Sequence, residues 1–332
     1  MRKGILAGLA LLMIALIHPA SAPAGAPADT IRLGLIRAQS FGGLFIAERE
    51  GHFRAQRIAV EWAAFTAGAQ MIPPLAQRQL DVAAGGASAA FFNAVLAGQR
   101  IRMVADKGHI GKGAAEMIVI RKTLAGTVTK IADLRGRRVA ISFIGGLDHY
   151  LLSRALASGG LLVRDVTIAQ LPQEAALAAL GNAAVDAAVF DPLFGARAIT
   201  LGAAVKLVDY TQVINGEPIA FIIYGPTLLE RNRDAGIRFM IAYLTALQQY
   251  NQGPTDRNVA IVAEYTNTDP ESVRQAGWVP IHADGFVDVQ GLRRQQDWYL
   301  ETGLVNARAP IGLVLDASFL RQARQVLGIA GR

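Results

Sequence analysis

The sequence predicts an α/β protein made of two βαβ lobes that are joined by a two-segment hinge. Short apolar runs alternate with helical patterns from Thr30 onward, the same alternation restarts near Arg138, and the chain beyond Thr227 is nearly all helical. Tight alternation of this kind is typical of right-handed βαβ units around a mostly parallel sheet. A mature chain of about 300 residues also suits two domains of ordinary size.

The first lobe begins with four strand–helix steps. Strands are predicted at Ile31–Ile36, Ile58–Trp62, Asp81–Ala84 and Ile101–Ala105. Helices are predicted over Leu44–Glu50, around Gln70–Arg78 and from Ser88 to near Gly98, after loops that contain glycine. Glycine marks these loops because it accepts backbone conformations that other residues avoid.

Glu116–Arg121 is predicted to be a strand close to the crossing into the second lobe. The elements of that lobe follow in order: strands at Arg138–Ile141, Val166–Ala169, Val185–Phe190 and Val205–Val208, with helices over Leu147–Ala157, Gln173–Leu180 and near Leu193–Thr200. Ile219–Tyr224 is a strand that carries the chain back to the first lobe, and helices follow at Ala235–Tyr250, Asp256–Tyr265, Glu271–Gly277, Val289–Thr302 and Ala317–Leu327.

These elements predict lobe 1 over residues 27–113 and 218–332, and lobe 2 over residues 114–217. Ligands of open α/β sheets bind beyond the carboxyl ends of the strands. Two facing lobes place two sets of such loops around one cleft, and paired crossing segments form a hinge on which the cleft can close. The sequence therefore predicts a protein that binds its ligand in a cleft.

Residues 1–26 have the pattern of a secretory signal peptide. Arg2 and Lys3 precede an apolar run from Ile5 to Ile17, and small residues follow it. The alternative is a membrane anchor, but this run falls short of the roughly 20 residues that span a bilayer. Cleavage is expected after Ala22 or Ala26, which places the protein in the periplasm.

The chain contains no cysteine. Disulfides, cysteine-based metal sites and a lipid anchor on cysteine are therefore excluded. The formal net charge is +7, but the basic residues are scattered and are not interleaved with aromatic residues. A nucleic-acid-binding surface usually clusters them, so we expect no nucleic-acid partner.

Two glycine-containing loops lead from a strand into a helix, one in each lobe. They are Gly85-Gly86-Ala87-Ser88 and Ser142-Phe143-Ile144-Gly145-Gly146. Glycine lets a ligand approach the backbone, and a helix N-terminus offers free N–H donors with partial positive charge. The alternative is two ordinary turns in which Ser88 and Ser142 cap the helices. Their equivalent places in the two lobes favour binding.

Other residues near strand ends have two interpretations. Asp191 could accept a hydrogen bond from a ligand, or it could cap the helix that starts at Pro192, which is the interpretation we favour. Phe41, Phe143 and Phe221 could line the cleft or simply pack, and Arg37 could meet an anion. His149 could contact a ligand, although a half-buried surface histidine is the simpler interpretation.

The sequence lacks the usual catalytic motifs. The histidines are His18, His52, His109, His149 and His282, with no H-E-x-x-H spacing. No G-x-S-x-G turn and no phosphate-binding loop of the G-x-x-x-x-G-K-[ST] type occurs. We therefore expect no catalytic residues, no metal and no cofactor.

Several segments together resemble one family of transport proteins. They are Phe45–Phe53, Leu75–Ala83, Ile131–Ala140 with the helix that follows, Val185–Pro192 and Gln296–Leu304. In this order and spacing they are similar to the substrate-binding proteins of ABC importers of the nitrate, sulfonate and taurine type, which include binders of thiamine pyrimidine precursors. The resemblance implies a type II periplasmic-binding-protein fold and a role in solute import.

The resemblance also implies partners, namely a small-molecule ligand, an ABC permease and its ATPase, with the binding protein itself a monomer. Two departures matter. The segment before Asp81 lacks the family's glycine, and Phe143-Ile144-Gly145-Gly146 carries fewer hydroxyl groups than a sulfonate binder presents. The second departure disfavours a small oxyanion and favours an apolar or aromatic organic ligand. Taken with the resemblance, the solute is expected to be a small organic molecule that is anionic or aromatic.

The expected ligand-binding residues are those at the strand ends of both lobes: Gln39, Ser40, Phe41, Thr66, Ser88, Ser142, Gly145, Gly146 and Asp191. Hydroxyl groups and helix-start N–H groups would hold polar ends of the solute, and phenylalanines would flank its body. The alternative function is a periplasmic sensing module that docks on a receptor kinase, and an exported hydrolase is a more distant one.

Overall fold

The computed structural model describes residues 29–114 and 116–331. The predicted signal peptide, residues 1–26, lies outside the described residues. Within the described part the chain forms ten strands: β1 (Asp29–Leu35), β2 (Ile58–Ala64), β3 (Val82–Gly85), β4 (Arg102–His109), β5 (Met117–Arg121), β6 (Arg138–Ile141), β7 (Thr167–Gln170), β8 (Ala187–Phe190), β9 (Ala204–Asp209) and β10 (Pro218–Tyr224).

Thirteen α-helices accompany these strands over the same described ranges. They are α1 (Gly42–Arg49), α2 (His52–Ala55), α3 (Ile72–Ala76), α4 (Ala89–Leu96), α5 (Leu147–Ser158), α6 (Gln173–Gly181), α7 (Pro192–Thr200), α8 (Arg233–Tyr250), α9 (Asp256–Thr266), α10 (Pro270–Gln275), α11 (Val289–Glu301), α12 (Ile311–Val314) and α13 (Ser318–Leu327). None of the helices in this part of the chain has both the length and the apolar character needed to cross a bilayer.

The strands form two separate five-stranded sheets. The first has the order β2-β1-β3-β10-β4 and the second the order β7-β6-β8-β5-β9. This arrangement confirms the predicted α/β class with two lobes. The exact lobe limits, at residues 113/114 and 217/218, stay a prediction.

Each sheet contains one strand that runs against the other four, so the sheets are mixed, although most of their strands are parallel as expected. β10 is antiparallel to β3 and β4, and β5 is antiparallel to β8 and β9. Both are the first strands after the chain crosses from the other sheet. A chain that leaves one sheet at its cleft edge enters the next sheet from its cleft edge, and it therefore runs away from the cleft.

The two crossing segments are hydrogen-bonded to each other. The N–H of Ile110 donates to the carbonyl of Glu217 (2.8 Å), and the N–H of Gly216 donates to the carbonyl of Ile110 (2.8 Å). Paired segments of this kind bend together, which is the geometry of a hinge.

Helix α11 packs across the two lobes beside this hinge. Trp298 makes edge-on ring contacts with His149 and Tyr150 of α5, while the hydroxyl of Tyr299 donates to the carbonyl of Ala87 before α4 (2.9 Å). The fully buried carboxylate of Glu217 accepts from the Tyr150 hydroxyl (2.9 Å). The C-terminal helices thus contribute to the joint between the lobes.

One predicted helix is shorter than expected. The pattern around Gln70–Arg78 forms a 3₁₀ turn at Gly68–Met71 and a single helical turn in α3. Pro73 and Pro74 lack the N–H that a longer helix would use, and they are tolerated because they lie in its first turn. Arg78 then adopts a positive φ of 61°, which ends the helix.

Candidate functional site

A cavity of about 110 Å³ lies between the two sheets. A single water needs only about 10–15 Å³ by a comparable measure, so the cavity has room for a small molecule. It is lined at the carboxyl ends of β1 to β4 and β6 to β8, and at the amino ends of the two reversed strands β5 and β10. This is the edge at which α/β sheets bind ligands.

The first-lobe wall carries a buried cation, Lys107, near the end of β4. Its Nζ donates to the hydroxyl of Ser40 (2.9 Å) and stands 3.7 Å above the centre of the Phe41 ring. Burial lowers the pKa of Lys107 to about 7, although the nearby carboxylates of Asp106 and Glu116 act in the opposite direction. The cation therefore has one hydroxyl acceptor, one aromatic face and open cavity around it.

The second-lobe wall carries three acidic side chains. Burial raises the pKa of Glu116 to about 8 and that of Asp191 to about 6, and it also raises the pKa of Asp148. Neighbouring carboxylates further disfavour ionisation, since Asp148 raises the pKa of both other groups and Asp191 raises that of Glu116. Asp148 and Asp191 keep part of their surface open to the cavity, whereas Glu116 is buried.

Two of these acids are held in place by the backbone. Asp148 accepts from the N–H of Ser142 (2.9 Å), and Asp191 accepts from the N–H of Phe194 (3.0 Å) at the start of α7. Gln173 clamps Asp191 twice, because its amide donates to the carboxylate and accepts from the Asp191 N–H, both at 3.0 Å. Glu116 differs, since its Oε2 is buried without a hydrogen-bond partner.

A close backbone approach shapes the first-lobe wall. A Cβ on Gly85 would stand 2.8 Å from the Cα of Gly68, too close for any side chain. Gly85 is therefore needed for packing between two backbone segments of the wall. The sequence predicts that glycine here lets a ligand approach the backbone, but the group that lies close to Gly85 is the backbone of Gly68.

Most of the predicted ligand-binding residues lie on the cavity surface. Those residues are Gln39, Ser40, Phe41, Thr66, Ser88, Ser142, Gly146 and Asp191. Gly145 is not among the lining residues. Its N–H donates to Nδ1 of His149 (3.1 Å) and its carbonyl accepts from Ala89 N–H (2.9 Å), so it links the two lobes beside the cavity.

The predicted caps have mixed outcomes. Asp191 accepts from Phe194 N–H and caps α7 as expected, and Ser88 accepts from Phe91 N–H (3.2 Å) and caps α4, which was the alternative interpretation of this residue. Ser142 does not cap α5, because Gly146 occupies the position before that helix. Gln39 is already engaged, since its side-chain amide bonds to the Gly277 carbonyl and to the Val279 N–H.

The structure locates four side chains for which the sequence allowed either a contact with the ligand or ordinary packing. Phe143 lines the cavity, whereas Phe221 is fully buried inside the first sheet. Arg37 donates to the carbonyl of Tyr265 (3.2 Å) outside the cavity. His149 is buried and packs on Trp298, so the expectation of a half-buried surface histidine is wrong.

Sequence reasoning missed the four ionisable or amide groups that dominate the cavity: Lys107, Glu116, Asp148 and Gln173. A signal existed for the first two, because each charged residue adjoins an apolar strand and such residues are rarely buried without a role. Asp148 and Gln173 look like ordinary first-turn helix residues in sequence.

The arrangement of basic, acidic and hydroxyl groups around the cavity is suited to ligand binding. Among the described residues that line the cavity there is no histidine. Serine hydroxyls there consequently lack an imidazole base of the kind that activates a serine nucleophile. A possible metal-binding group, Asp106 with His109 and His282, lies outside the cavity lining.

Two sequence relatives share the transport context. A Bacillus subtilis (strain 168) protein provisionally named for binding aliphatic sulfonates is 24% identical over 340 residues, which span 97% of both chains. The taurine-binding periplasmic protein of Escherichia coli (strain K12) is 30% identical over 144 residues, 43% of this chain and 42% of that protein.

Solved structures show the same fold with two kinds of activity. The alkanesulfonate-binding protein from Xanthomonas axonopodis pv. citri, bound to MOPS, has a TM-score of 0.71 at 23% identity and covers 87% of this chain and 99% of its own. The desulfurization enzyme DSZB has a TM-score of 0.68 at 16% identity and covers 90% of this chain and 99% of its own. The fold alone thus does not separate binding proteins from an enzyme.

The resemblance to importer binding proteins of the sulfonate and taurine type is confirmed by these relatives. The NMT1-like family model matches residues 24–266, well over half of the sequence. The chain therefore belongs to the NMT1-like family.

Proposed function

We propose that the protein is the periplasmic solute-binding component of an ABC importer, and that its solute is a small zwitterion with a protonated amine and an acidic group. One observation carries this proposal: the cavity places a buried lysine on one wall and three carboxyl groups, of which Glu116 is buried, on the other. A ligand with both charges would complement both walls.

The acidic wall supports a cationic end of the ligand. Glu116 Oε2 is buried with no partner, and buried polar atoms in proteins are nearly always hydrogen-bonded. An ammonium group offers three donors, which could reach Glu116, Asp148 and Asp191. Its charge would also relieve the repulsion among the three carboxylates.

The first-lobe wall supports an acidic end. Lys107 has spare donors beyond its bond to Ser40, and Phe41 shields it from water. A sulfonate or carboxylate near the Nζ would form a charge-assisted hydrogen bond, stronger than a neutral one. This proposal departs from the aromatic ligand expected from Phe143-Ile144-Gly145-Gly146, because that expectation did not include the charged walls.

Delivery to a permease and its ATPase, export to the periplasm and a monomeric state form part of the proposal. They rest on family membership and on the paired crossing segments at Ile110 and Gly216–Glu217, which would allow the lobes to close on a ligand. No contact among the described residues bears on the alternative of docking on a receptor kinase, which stays a prediction. Measured turnover of a bound solute by the purified protein would argue for an enzyme and against import.

The proposal is tested with matched ligands. Taurine carries both charges, ethanesulfonate lacks the amine, and ethylamine lacks the acid. A ligand that binds the native state raises the melting temperature by an amount set by its excess over the dissociation constant. We expect a rise with taurine or a zwitterionic amino acid of similar length, and much smaller rises with the two half-ligands. Equal rises with ethanesulfonate and taurine would refute a role for the acidic wall.

Proton linkage gives an independent readout. An ammonium beside Glu116 would lower its pKa from about 8, so binding at pH 7 should release a proton from this side chain. An acidic group beside Lys107 would raise its pKa from about 7, so the same event should take up a proton there. Titration calorimetry in buffers of different ionisation enthalpy measures the net number of protons exchanged on binding. Comparison of the wild type with Glu116→Gln separates proton release by Glu116 from proton uptake by Lys107, because the variant loses only the release.

A further inference from the structure

A second polar cluster lies behind the cavity, where β4 ends and the loop before α11 crosses it. Asp106 and His109 come from β4, and His282 comes from the loop. One potential ligand atom from each of the three lies within 4.8 Å of the others. We propose that these residues bind one first-row transition-metal dication, best matched by Zn²⁺.

The two distances from the carboxylate to the imidazole nitrogens suit such an ion. Asp106 Oδ2 is 3.1 Å from His282 Nδ1 and 3.7 Å from His109 Nδ1. Bonds of about 2.0–2.1 Å in a tetrahedron separate neighbouring ligand atoms by about 3.3 Å. Two histidines with one carboxylate are a donor set that holds zinc or iron and leaves further positions open, whereas magnesium and calcium prefer oxygen.

An unpartnered atom points to a missing ligand. His109 Nδ1 is buried and has no hydrogen-bond partner, because 3.7 Å from Asp106 is too long for one. The carboxylate of Asp106 is already oriented, since Oδ1 accepts from Gly108 N–H (3.2 Å) and Oδ2 from His282 N–H (2.9 Å). Fixed carboxylates of this kind support metal sites.

The simpler alternative is a structural Asp106–His282 pair that fastens the loop to β4. That pair accounts for the 3.1 Å contact but leaves His109 Nδ1 without a partner. The two imidazole rings are stacked, with centres 4.1 Å apart and planes 17° apart. Lone pairs of parallel rings do not converge, so metal binding requires one ring to turn about its Cβ–Cγ bond. Both side chains are partly exposed, at 18% and 17%, which leaves room for that turn.

The consequence of metal binding would reach the cavity wall. The same loop provides Val279, which lines the cavity, and its N–H donates to the side chain of Gln39 (3.0 Å). A metal that joins His282 to β4 would hold this loop against the first lobe. The metal site does not depend on the proposed solute, so either proposal can fail alone.

The test uses protein purified without a polyhistidine tag, stripped with a chelator and titrated with Zn²⁺. We expect one equivalent to bind and to raise the melting temperature, and bound Co²⁺ to show the visible spectrum of a low-coordinate site. His109→Gln should weaken binding by about 100-fold or more, since loss of even an outer partner of a metal ligand costs about 10–100-fold. His52→Gln, which changes a histidine on α2 away from the cluster, should bind as the wild type does.

His109→Gln is the decisive variant because His109 Nδ1 has no hydrogen-bond partner, so the substitution costs the apoprotein the ring stacking on His282 and the ion pair with Asp106 but no hydrogen bond at this atom. The melting temperature of the variant without metal checks that it folds. His282→Gln should also lose the metal, although it breaks the contact with Asp106 as well. The proposal is overturned if the wild type binds no Zn²⁺, or if His109→Gln binds it with unchanged stoichiometry and affinity. The latter result would identify adventitious surface binding.

Discussion

The two walls of the cavity are built alike, but one carries a basic side chain and the other carries acidic side chains. Each consists of strand-end loops and helix starts at the same edge of a five-stranded sheet. The first lobe contributes Lys107 with hydroxyl and aromatic neighbours, whereas the second contributes Glu116, Asp148 and Asp191. Under the proposed function, equivalent backbone positions would specify where a ligand binds, and the different side chains would specify which end of it faces which lobe.

Removal of the Lys107 charge should cause the largest loss of ligand affinity among the changes to the two walls. Lys107→Met keeps the length and apolar stem of the side chain but leaves no charge to offset the acidic wall. Loss of one partner of a buried, hydrogen-bonded charge pair costs about 2–5 kcal/mol, so affinity for a zwitterion should fall at least about 30-fold. Isothermal titration calorimetry measures the change.

Lys112→Met is the matched control for this prediction. Lys112 is exposed on the crossing segment and does not line the cavity. Its substitution should leave affinity unchanged. Equal affinity of Lys107→Met and the wild type for the ligand would remove the first-lobe wall from ligand recognition.

The acidic wall should make stability depend on pH. Glu116 keeps its proton up to a pKa of about 8 in the fold, whereas an unfolded carboxyl loses it near 4.5. The unfolded state then binds fewer protons between these values, so the contribution of Glu116 to stability falls as the pH rises from about 4.5 to about 8. Glu116→Gln removes this dependence.

The variant should therefore melt higher than the wild type, by a margin that grows across this window to about 5 °C at pH 8.5. Thermal unfolding followed by circular dichroism from pH 5 to pH 8.5 measures the margin. The contribution of Lys107 to stability rises with pH above about 7, which is opposite to that of Glu116. We therefore compare the melting temperature of Glu116→Gln with that of the wild type at each pH. A margin that is constant with pH would mean that Glu116 is already ionised at pH 5.

The smallest expected effect concerns Asp191, which could cap helix α7, contact a ligand, or do both. Asn is as good a helix cap as Asp, so Asp191→Asn should keep the bond to Phe194 N–H, whereas Asp191→Ala loses it. Both variants lose the carboxylate that accepts from the Gln173 amide, so Asp191→Ala should be less stable than Asp191→Asn by about 1 kcal/mol through loss of the cap. Denaturant unfolding compares the two variants.

The same pair of variants tests the charge of the wall. If Asp191 contacts the cationic end of a ligand, both substitutions should weaken binding, although Asp191→Ala has the less stable fold of the two. Unchanged ligand affinity in Asp191→Asn would show that this residue is a cap and nothing more.

Much of the fold could be predicted because its signals are local. The strand from Arg138 to Ile141 and the helix that begins at Gln173 start where the apolar patterns place them. The antiparallel course of β5 and β10 was not predictable, since strand direction depends on which sheet the chain enters and from which edge. Ring contacts across the lobes, such as that of His149 with Trp298, were invisible for the same reason.

The sequence by itself determined the order of strands and helices, the two-lobed class and most of the loops that surround the cavity, because hydrophobic periodicity and turn residues act over a few positions. Only the tertiary structure decided the charge of the cavity and the meeting of His109 with His282. Lys107 on β4 and Asp148 on α5 reach the same cavity. His282 comes from a loop far along the chain to meet Asp106 and His109 of β4. The pKa shifts of Lys107 and Glu116 arise from burial, and burial exists only after folding.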